Sequence, residues 1–142
     1  MTQPQLRVRD VMIRDVQTVR RNDQLAIADA LMKQARIRHL VVLDEDALVC
    51  AVVSQRDLFR GALLRALGFG TRAEESMLRK VVVKEAMSAE LHTTTPDAPV
   101  AEAARTMIDR KIGCLPVLEG EELVGIVTET DFVRLVAQGK TS

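Results

Sequence analysis

Short apolar runs alternate with longer amphipathic stretches along the chain, and this alternation predicts a mixture of strands and helices. Two apolar runs, residues 40–43 and 49–53, are separated by an acidic turn. Short runs bounded by polar residues in this way are typical of a β-hairpin. The preceding stretch has apolar residues at intervals of three and four, which predicts an amphipathic helix that begins after Asp23, a residue type that favours the N-cap. A second helix is predicted to begin at Gln55.

The same pattern occurs a second time further along the chain. A shift of 75 residues aligns residues 8–12 with 83–87, and a shift of 74 beyond the acidic turn aligns Val53 with Val127. Copy two is therefore one residue shorter than copy one at this point. The difference falls in a predicted exposed turn, where changes of length are tolerated. Each copy has the order β-α-β-β-α, and we therefore expect an α+β (mixed α/β) fold built from two such repeats.

The two copies define the expected domain organisation. The first repeat covers residues 8–67, the second covers residues 81–138, and residues 68–80 form a linker. A capping-box spacing from Thr71 to Glu74 predicts a short helix within that linker. Because a unit of about 60 residues is marginal for independent stability, we expect the repeats to pack against each other as a pseudo-twofold pair.

Composition and charge exclude several classes of function. The chain of 142 residues has no Trp, no Tyr and three Phe, so it lacks the aromatic side chains on which single-stranded nucleic acid stacks. Twenty basic residues balance twenty acidic ones, which leaves no net field to attract nucleic acid or anionic lipid. The first residues lack the apolar core of a signal peptide, and the longest apolar run, residues 47–53, is far too short to span a membrane. We therefore expect a cytoplasmic protein without nucleic-acid binding or membrane insertion.

The sequence contains no evident catalytic or metal-binding motif. Cys50 and Cys114 lie in apolar stretches, which is typical of reduced, buried thiols, and no cluster of Cys and His has the spacing of a metal site. The chain also lacks a nucleophile elbow, a Walker loop and a dinucleotide-binding GxGxxG motif. We expect no catalytic residue, no metal and no catalytic cofactor, and we interpret the protein as a non-enzyme.

A hydroxyl residue followed three positions later by a carboxylate stands directly after the last strand of both copies. These pairs are Ser54 with Asp57, and Thr128 with Asp131. A carboxylate in the first turn of a helix can accept two hydrogen bonds from a vicinal diol, as acidic residues do with ribose in other nucleotide-binding folds. The hydroxyl and the free N–H groups of the helix can hold a phosphate. The same spacing is also an ordinary helix cap, so its recurrence in both copies is what favours a ligand site.

The two copies resemble the tandem cystathionine β-synthase (CBS) domain pair, also called a Bateman module. The family's opening pattern is matched by residues 8–12 and 83–87, and its R-H-L-P-V pattern by residues 38–42 and, less fully, by residues 113–117. Its L-V-G-I-V-T-x-x-D signature is matched completely by residues 123–131. The resemblance covers nearly the whole chain and is specific because the patterns occur twice in the same order.

The resemblance implies a regulatory module that binds an adenosine-containing ligand in a cleft between the repeats and passes the signal to a partner protein. The implied ligands are AMP, ADP, ATP, S-adenosylmethionine, NAD-type nucleotides and cyclic dinucleotides. It also implies that the two motif aspartates hold the ribose, that Arg38 and His39 face the phosphates, and that the chain forms a homodimer. The effector protein is not identified by the sequence. The alternative is a ligand-free dimerisation or protein-interaction module, in which the motif residues are only helix caps.

The two candidate sites are not expected to be equivalent. Copy two has Gly113 and Cys114 in place of the basic pair of copy one, so copy one is better suited to phosphates, which a guanidinium binds with charge-assisted contacts. We expect one well-occupied site rather than two equal ones. Copy two is expected to suit a nucleoside, or a ligand whose phosphates lie toward copy one.

Two further expectations concern neighbours of the motif. Copy one has Ala51 where copy two has Gly125, and the extra methyl is expected to narrow the pocket if the backbone approaches a ligand there. Arg60 and Arg134 follow the motif aspartates by about one helical turn. We expect solvated side chains at both positions, with pairing to the aspartates or to a phosphate as the alternatives.

Overall fold

The computed structural model describes residues 5–66, 78–88 and 90–140, and the side chains of residues 61–66 lie outside that description. The strands described are β1 (Thr18–Arg20), β2 (His39–Leu43), β3 (Val49–Ser54), β4 (Cys114–Glu119) and β5 (Glu122–Thr128). The named helices are α1 (Val8–Val11), α2 (Leu25–Ala35), α3 (Gln55–Ala66), α4 (Val83–Ala86), α5 (Val100–Arg110) and α6 (Glu129–Ala137). This mixture of helices and strands, in two copies, confirms the expected fold class.

Part of the expected linker helix falls outside the described residues. Residues 71–77 are not described, whereas residues 78–80 are helical. In the described part of the chain, no helix is both long enough and apolar enough to cross a membrane.

Both predicted hairpins are present. Strands β2 and β3 pair antiparallel with Leu40 opposite Val53, and β4 and β5 pair with Leu115 opposite Val127. In the first hairpin the carboxylate of Asp44 accepts the N–H groups of residues 46 and 48 at 2.9 and 3.0 Å. These local bonds compete with strand pairing, which is why an acidic triplet favours a turn here.

Helix α2 begins at Leu25, and Asp23 is not its cap, contrary to the sequence prediction. The N-cap residue is Gln24, whose side chain makes no capping hydrogen bond. The Oδ2 atom of Asp23 instead accepts the N–H of Arg20 at 2.8 Å, so this carboxylate stabilises the turn between β1 and α2. The apolar periodicity located the helix correctly. The side chain of Asp23 does not cap it because the carboxylate bonds a backbone N–H of the preceding turn instead.

The chain divides into two compact units that do not coincide with the two sequence copies. The first unit is Gln17–Leu91, and the second unit combines Met1–Val16 with His92–Ser142. Each unit therefore contains the body of one copy and the opening segment of the other, which is the chain up to Val16 for copy one and residues 81–91 for copy two. The ranges 8–67 and 81–138 describe the repeats in the sequence. The compact units differ from them because the opening segments are exchanged.

A three-stranded sheet carries the core of the first unit. Its order is β1-β2-β3, with β1 parallel to β2 and β2 antiparallel to β3. The opening segment of copy two joins this unit through backbone hydrogen bonds: the N–H groups of Leu25 and Val83 donate to the carbonyls of Val81 and Asp23, both at 2.8 Å. The Val83 side chain is fully buried in a cluster with strand residues of copy one, among them Leu40, Val42 and Val53.

The second unit is built on the β4–β5 hairpin, and the opening segment of copy one pairs with its edge. Ile13 and Ile126 exchange two backbone hydrogen bonds, each of 2.9 Å. Helix α1 is held by a bond of 2.8 Å from the N–H of Val8 to the carbonyl of Ala98. The Val8 side chain is fully buried in a cluster with residues of α5 and the hairpin, namely Ala103, Met107, Leu115, Val117 and Val127.

Gly125 makes room for this opening segment. A Cβ atom added to Gly125 would lie 2.7 Å from Sδ of Met12 and 3.1 Å from the carbonyl oxygen of Ile13. The equivalent residue Ala51 is 1% exposed and belongs to the core cluster of the first unit, against which Met87 packs. The structure thus gives this difference between the copies a role in core packing, and the narrowing of a ligand pocket at Ala51 stays a prediction.

Replacing Gly125 by Ala is expected to destabilise the protein by about 1–3 kcal/mol, because the added methyl overpacks the contact with the opening segment. Urea unfolding followed by circular dichroism measures the effect. The matched control is Ala51→Gly, which removes the methyl at the equivalent position and should cost roughly 1 kcal/mol through added backbone freedom. Equal unfolding midpoints for the wild type and Gly125→Ala would contradict the packing role of Gly125.

The exchange of opening segments predicts which unit each buried valine stabilises. Val8→Ala should lower amide-exchange protection in β4 and β5, although Val8 belongs to copy one, and Val83→Ala should lower it in β2 and β3. Each substitution removes two buried methyl groups and should cost about 1–3 kcal/mol. Hydrogen exchange read by mass spectrometry or NMR measures both effects. If each substitution weakens the body of its own copy instead, the exchanged arrangement is wrong.

Candidate functional site

The hydroxyl–carboxylate pair forms a capping box in both units. In the first unit the N–H of Ser54 donates to Oδ2 of Asp57 at 2.8 Å, and the N–H of Asp57 donates to Oγ of Ser54 at 3.1 Å. In the second unit the N–H of Thr128 donates to Oδ2 of Asp131 at 2.8 Å, and the Thr128 side chain accepts the N–H of Asp131. Each strand therefore gives way to a helix at the motif because the two side chains satisfy backbone N–H groups that a helix start leaves free.

The first unit brings together all four residues predicted for the site of copy one. The pairing of β2 with β3 puts His39 opposite Ser54, and the carbonyl of Arg38 accepts the N–H of Gln55 at 2.8 Å. Arg38 is exposed, whereas His39, Ser54 and Asp57 are half-buried. One strand-to-helix junction thus carries a guanidinium, an imidazole, a hydroxyl and a carboxylate. Together these groups offer donors for a phosphate and acceptors for hydroxyl groups.

The second unit repeats this junction without the basic pair. Cys114 stands opposite Thr128, and the carbonyl of Gly113 accepts the N–H of Glu129 at 3.1 Å. The backbone connections match those of the first unit. The inequivalence noted in the sequence is therefore one of side chains at matching backbone positions.

Asp131 is more deeply buried than Asp57 and is paired with an arginine. The Asp131 side chain is 2% exposed, and its Oδ1 accepts a hydrogen bond from Nη1 of Arg134 at 3.2 Å. Arg60 is exposed, and among the residues that the structure describes no ion pair joins it to Asp57. The expectation of a solvated arginine agrees with Arg60. At Arg134 the pairing alternative is observed, because the buried carboxylate of Asp131 recruits the guanidinium, although the arginine side chain stays 55% exposed.

Asp131 and Arg134 both line a cavity of about 460 Å³ in the second unit. One wall is the opening segment of copy one, and the other is α6 with the residues that follow it. The remaining lining residues are Gln5, Leu6, Asp10, Val11, Leu135, Gln138 and Lys140. Lys140 could not be identified from the sequence because no motif marks it. The helical spacing of Asp131, Arg134 and Gln138 could have indicated that these three side chains share one face of a helix. The cavity therefore carries two carboxylates and two cations, more charge than the sequence motif of copy two indicated.

The two thiols and the metal-ligating side chains do not form a further centre within the described ranges. Cys50 and Cys114 are both free. Burial, reinforced by the carboxylate of Asp44, raises the pKa of the Cys50 thiol, which keeps it protonated and weakly nucleophilic at neutral pH. In the same described ranges, no group of three or more His, Cys, Asp or Glu side chains is arranged to hold a metal ion.

Comparison with known proteins matches both copies to one family. The family model of the CBS domain matches residues 8–63 and 83–138, which correspond to the two copies found in the sequence. An uncharacterized protein of Methanocaldococcus jannaschii is 32% identical over 137 residues, a match that covers 94% of this chain and 32% of that protein. The chain spans between 24% and 32% of the length of the first curated relatives that it matches.

Solved structures of similar chains have the same fold over nearly their whole length. A candidate acetoin utilization protein (AcuB) of Vibrio cholerae matches with a TM-score of 0.76 and 30% identity, over 98% of this chain and 99% of that one. The CBS domain pair of protein MJ0100 matches with a TM-score of 0.78 and 25% identity, over 96% of this chain and 100% of that one. That pair was crystallised in complex with 5′-methylthioadenosine and S-adenosyl-L-methionine. These matches confirm the resemblance to a tandem CBS domain pair.

Proposed function

This chain belongs to the CBS domain family, and on that premise we propose that it is a regulatory module that binds an adenosine-containing ligand and passes the signal to a partner protein. The observation that carries the proposal is the capping-box carboxylate found at the same strand-to-helix junction in both units. The CBS domain pair of protein MJ0100 adds support, since both ligands in its solved complex contain adenosine. AMP, ADP, ATP, S-adenosylmethionine and NAD-type nucleotides are the candidate ligands.

Asp57 can accept a ribose diol without giving up an existing bond. A carboxylate offers about four lone-pair positions, and among the described residues the N–H of Ser54 is the donor to this one. Because the side chain is half-buried, hydroxyl groups can reach it, and partial exclusion of water strengthens the bonds they make. We assign the ribose to Asp57 in the first site and, by the equivalence of the two junctions, to Asp131 in the second.

The phosphates of a nucleotide are assigned to Arg38 and His39 in the first site. The exposed guanidinium of Arg38 can make bidentate, charge-assisted bonds to a phosphate. His39 lies on β2 opposite Ser54, and the carbonyl of Arg38 accepts the N–H of Gln55, so the backbones of both basic residues adjoin the junction that carries Asp57. This arrangement supports the first site as the better occupied one for phosphorylated ligands.

We propose a regulatory rather than a catalytic role for this chain. Both matched ranges are CBS domains, and both motif carboxylates serve as helix caps. The ligand is then an effector and not a catalytic cofactor. A cytoplasmic location follows from the proposed ligand class, because adenine nucleotides are abundant there, and the effector protein is proposed to act in the same compartment.

A homodimer is the second part of the proposal. Phe59 and Val133 occupy equivalent positions in the two copies and are 61% and 66% exposed, and Val136 is 68% exposed on α6. The exposed apolar side chains on α3 of the first unit and on α6 of the second can each be covered by a second copy of the chain, as in an isologous contact. The same helix faces would carry the alternative function, a ligand-free interaction module.

Binding of adenosine-containing ligands to the whole protein tests the ligand proposal. Calorimetry with AMP, ADP, ATP, NAD and S-adenosylmethionine should give saturable heat for at least one of them. That ligand should also raise the free energy of unfolding, by about 2.7 kcal/mol at a hundredfold excess over Kd. Asp57→Asn and Asp131→Asn should each weaken binding at the affected site about tenfold or more, because a charged acceptor is lost.

Asp46→Asn is the matched control for these variants, since it makes the same change at an exposed hairpin residue and should leave binding unchanged. Urea unfolding checks that the motif variants stay folded, because Asn keeps an oxygen that can accept the capping hydrogen bond. If none of the five ligands produces heat or a thermal shift, the ligand-free interaction module replaces the ligand-sensing one.

Sedimentation velocity tests the homodimer. Phe59→Lys combined with Val133→Lys should raise the dissociation constant of the dimer about a hundredfold or more, because each buried apolar side chain contributes about 1.5–3 kcal/mol. Leu48→Lys is the control, since this residue beside the first hairpin turn is also exposed, at 37%, and should not affect association. A wild-type chain that stays monomeric at high concentration would refute the homodimer.

A further inference from the structure

Asp131 has little capacity left for a ligand. A carboxylate offers about four lone-pair positions, and three donors already approach this one: the N–H of Thr128 at 2.8 Å, its Oγ1 at 3.4 Å and Nη1 of Arg134 at 3.2 Å. The Asp131 side chain is 2% exposed, so water adds little to this set. A ribose diol brings two further donors, and Oδ1, the oxygen outside the cap, is already bonded to Arg134, so both hydroxyls can bind this oxygen only if Arg134 leaves it.

Arg134 is the donor that can leave. The N–H of Thr128 goes to Oδ2 as part of the capping box that starts α6, and the Thr128 hydroxyl approaches the same oxygen at 3.4 Å. Arg134 takes Oδ1, the oxygen that the cap does not use. Its side chain is 55% exposed and long enough to turn toward another partner. The ion pair therefore covers the carboxylate oxygen that a ribose would use.

Releasing Arg134 has an electrostatic cost that depends on the ligand. A neutral diol replaces the hydrogen bond to Asp131 but not the positive charge, and a buried carboxylate without a counter-charge is unfavourable. A phosphate or carboxylate on the ligand gives Arg134 a new partner within the same cavity, through charge-assisted bonds. Lys140 lines that cavity as well and adds a second positive charge, which balances the carboxylate of Asp10 in the same lining. An anionic ligand thus offsets the loss of the ion pair, and a neutral ligand does not.

We propose that Arg134 makes the Asp131 site selective for adenosine ligands that carry an anionic group, by leaving Asp131 for that group when the ribose binds. The inference rests on the proposed ligand-binding function and deepens it for the second site. It differs from the sequence expectation that copy two suits a nucleoside, or a ligand whose phosphates lie toward copy one. Arg134 acts here as a specificity-determining residue through the exchange of an ion pair.

The first unit provides an internal comparison. Asp57 accepts the N–H of Ser54, and within the described residues Arg60, the equivalent of Arg134, makes no ion pair with it. A ribose can bind Asp57 without displacing an arginine. Arg60 is therefore not expected to discriminate between charged and neutral ligands.

The test compares AMP with adenosine on the whole protein, in an Asp57→Asn background that leaves the second site with its carboxylate intact. Calorimetry should find AMP about tenfold or more tighter than adenosine, a ratio typical of one charge-assisted contact. Arg134→Gln should weaken AMP and tighten adenosine, so that the ratio falls toward one. Arg134→Lys keeps the charge and should restore part of the ratio, and Arg60→Gln is the matched control that should leave it unchanged.

Two results would overturn the proposal. If Arg134→Gln weakens AMP and adenosine equally, Arg134 only supports the Asp131 carboxylate, and if the ratio does not change, Arg134 takes no part in selectivity. In both cases binding to the wild type leaves the proposed function standing. If neither AMP nor adenosine binds the wild type, the proposed selectivity is wrong as well. Calorimetry with ADP, ATP, NAD and S-adenosylmethionine then decides whether the proposed ligand-binding function is also wrong. Urea unfolding of Arg134→Gln separates a loss of fold from a change in selectivity.

Discussion

The opening segment of each sequence copy completes the compact unit formed by the other, and both candidate sites depend on this exchange. A repeat of about 60 residues buries little apolar surface and is marginal as an independent fold. In the second unit the segment adds the fully buried Val8 and pairs with Ile126 on β5, the strand that ends at the Thr128 motif. In the first unit the N–H of Ser88 donates to the carbonyl of Val52 at 3.1 Å, on the strand that ends at Ser54. The strand that positions each motif is thus held by a segment from the other copy.

The hydrogen bonds that start α3 and α6 also define what the motif carboxylates can do. In both units the cap uses Oδ2 of the aspartate. The other oxygen is left for a different partner, which in the second unit is Arg134. The structural and the ligand-binding interpretations of the motif therefore concern different oxygens of one carboxylate, and a capping role does not argue against a ligand.

Much of the fold could be predicted from the sequence, because the relevant signals are local or occur twice. The hairpins follow from apolar runs around acidic turns. The basic residues of the first candidate site were expected only from the resemblance to the CBS family, and strand pairing then places His39 opposite Ser54. The cap of α2 could not be predicted, since the N–H of Arg20 competes for the side chain of Asp23. The role of Gly125 depends on Met12, which lies far away in sequence. Such contacts between distant segments leave no trace in spacing.

The behaviour of the two motif arginines could not be predicted either, because their spacing from the aspartates is the same in both copies. Burial makes the difference. A half-buried carboxylate such as Asp57 stays partly solvated without a counter-charge, whereas a carboxylate that is 2% exposed, as Asp131 is, needs one. Burial of the second aspartate therefore recruits Arg134, and a ligand that takes the arginine's place must itself supply an anion. On the proposed function, a charged ligand meets Arg38 and His39 beside Asp57 in the first site, whereas in the second site it must draw Arg134 away from Asp131. Two copies of one motif thus respond to the same class of ligand through different contacts.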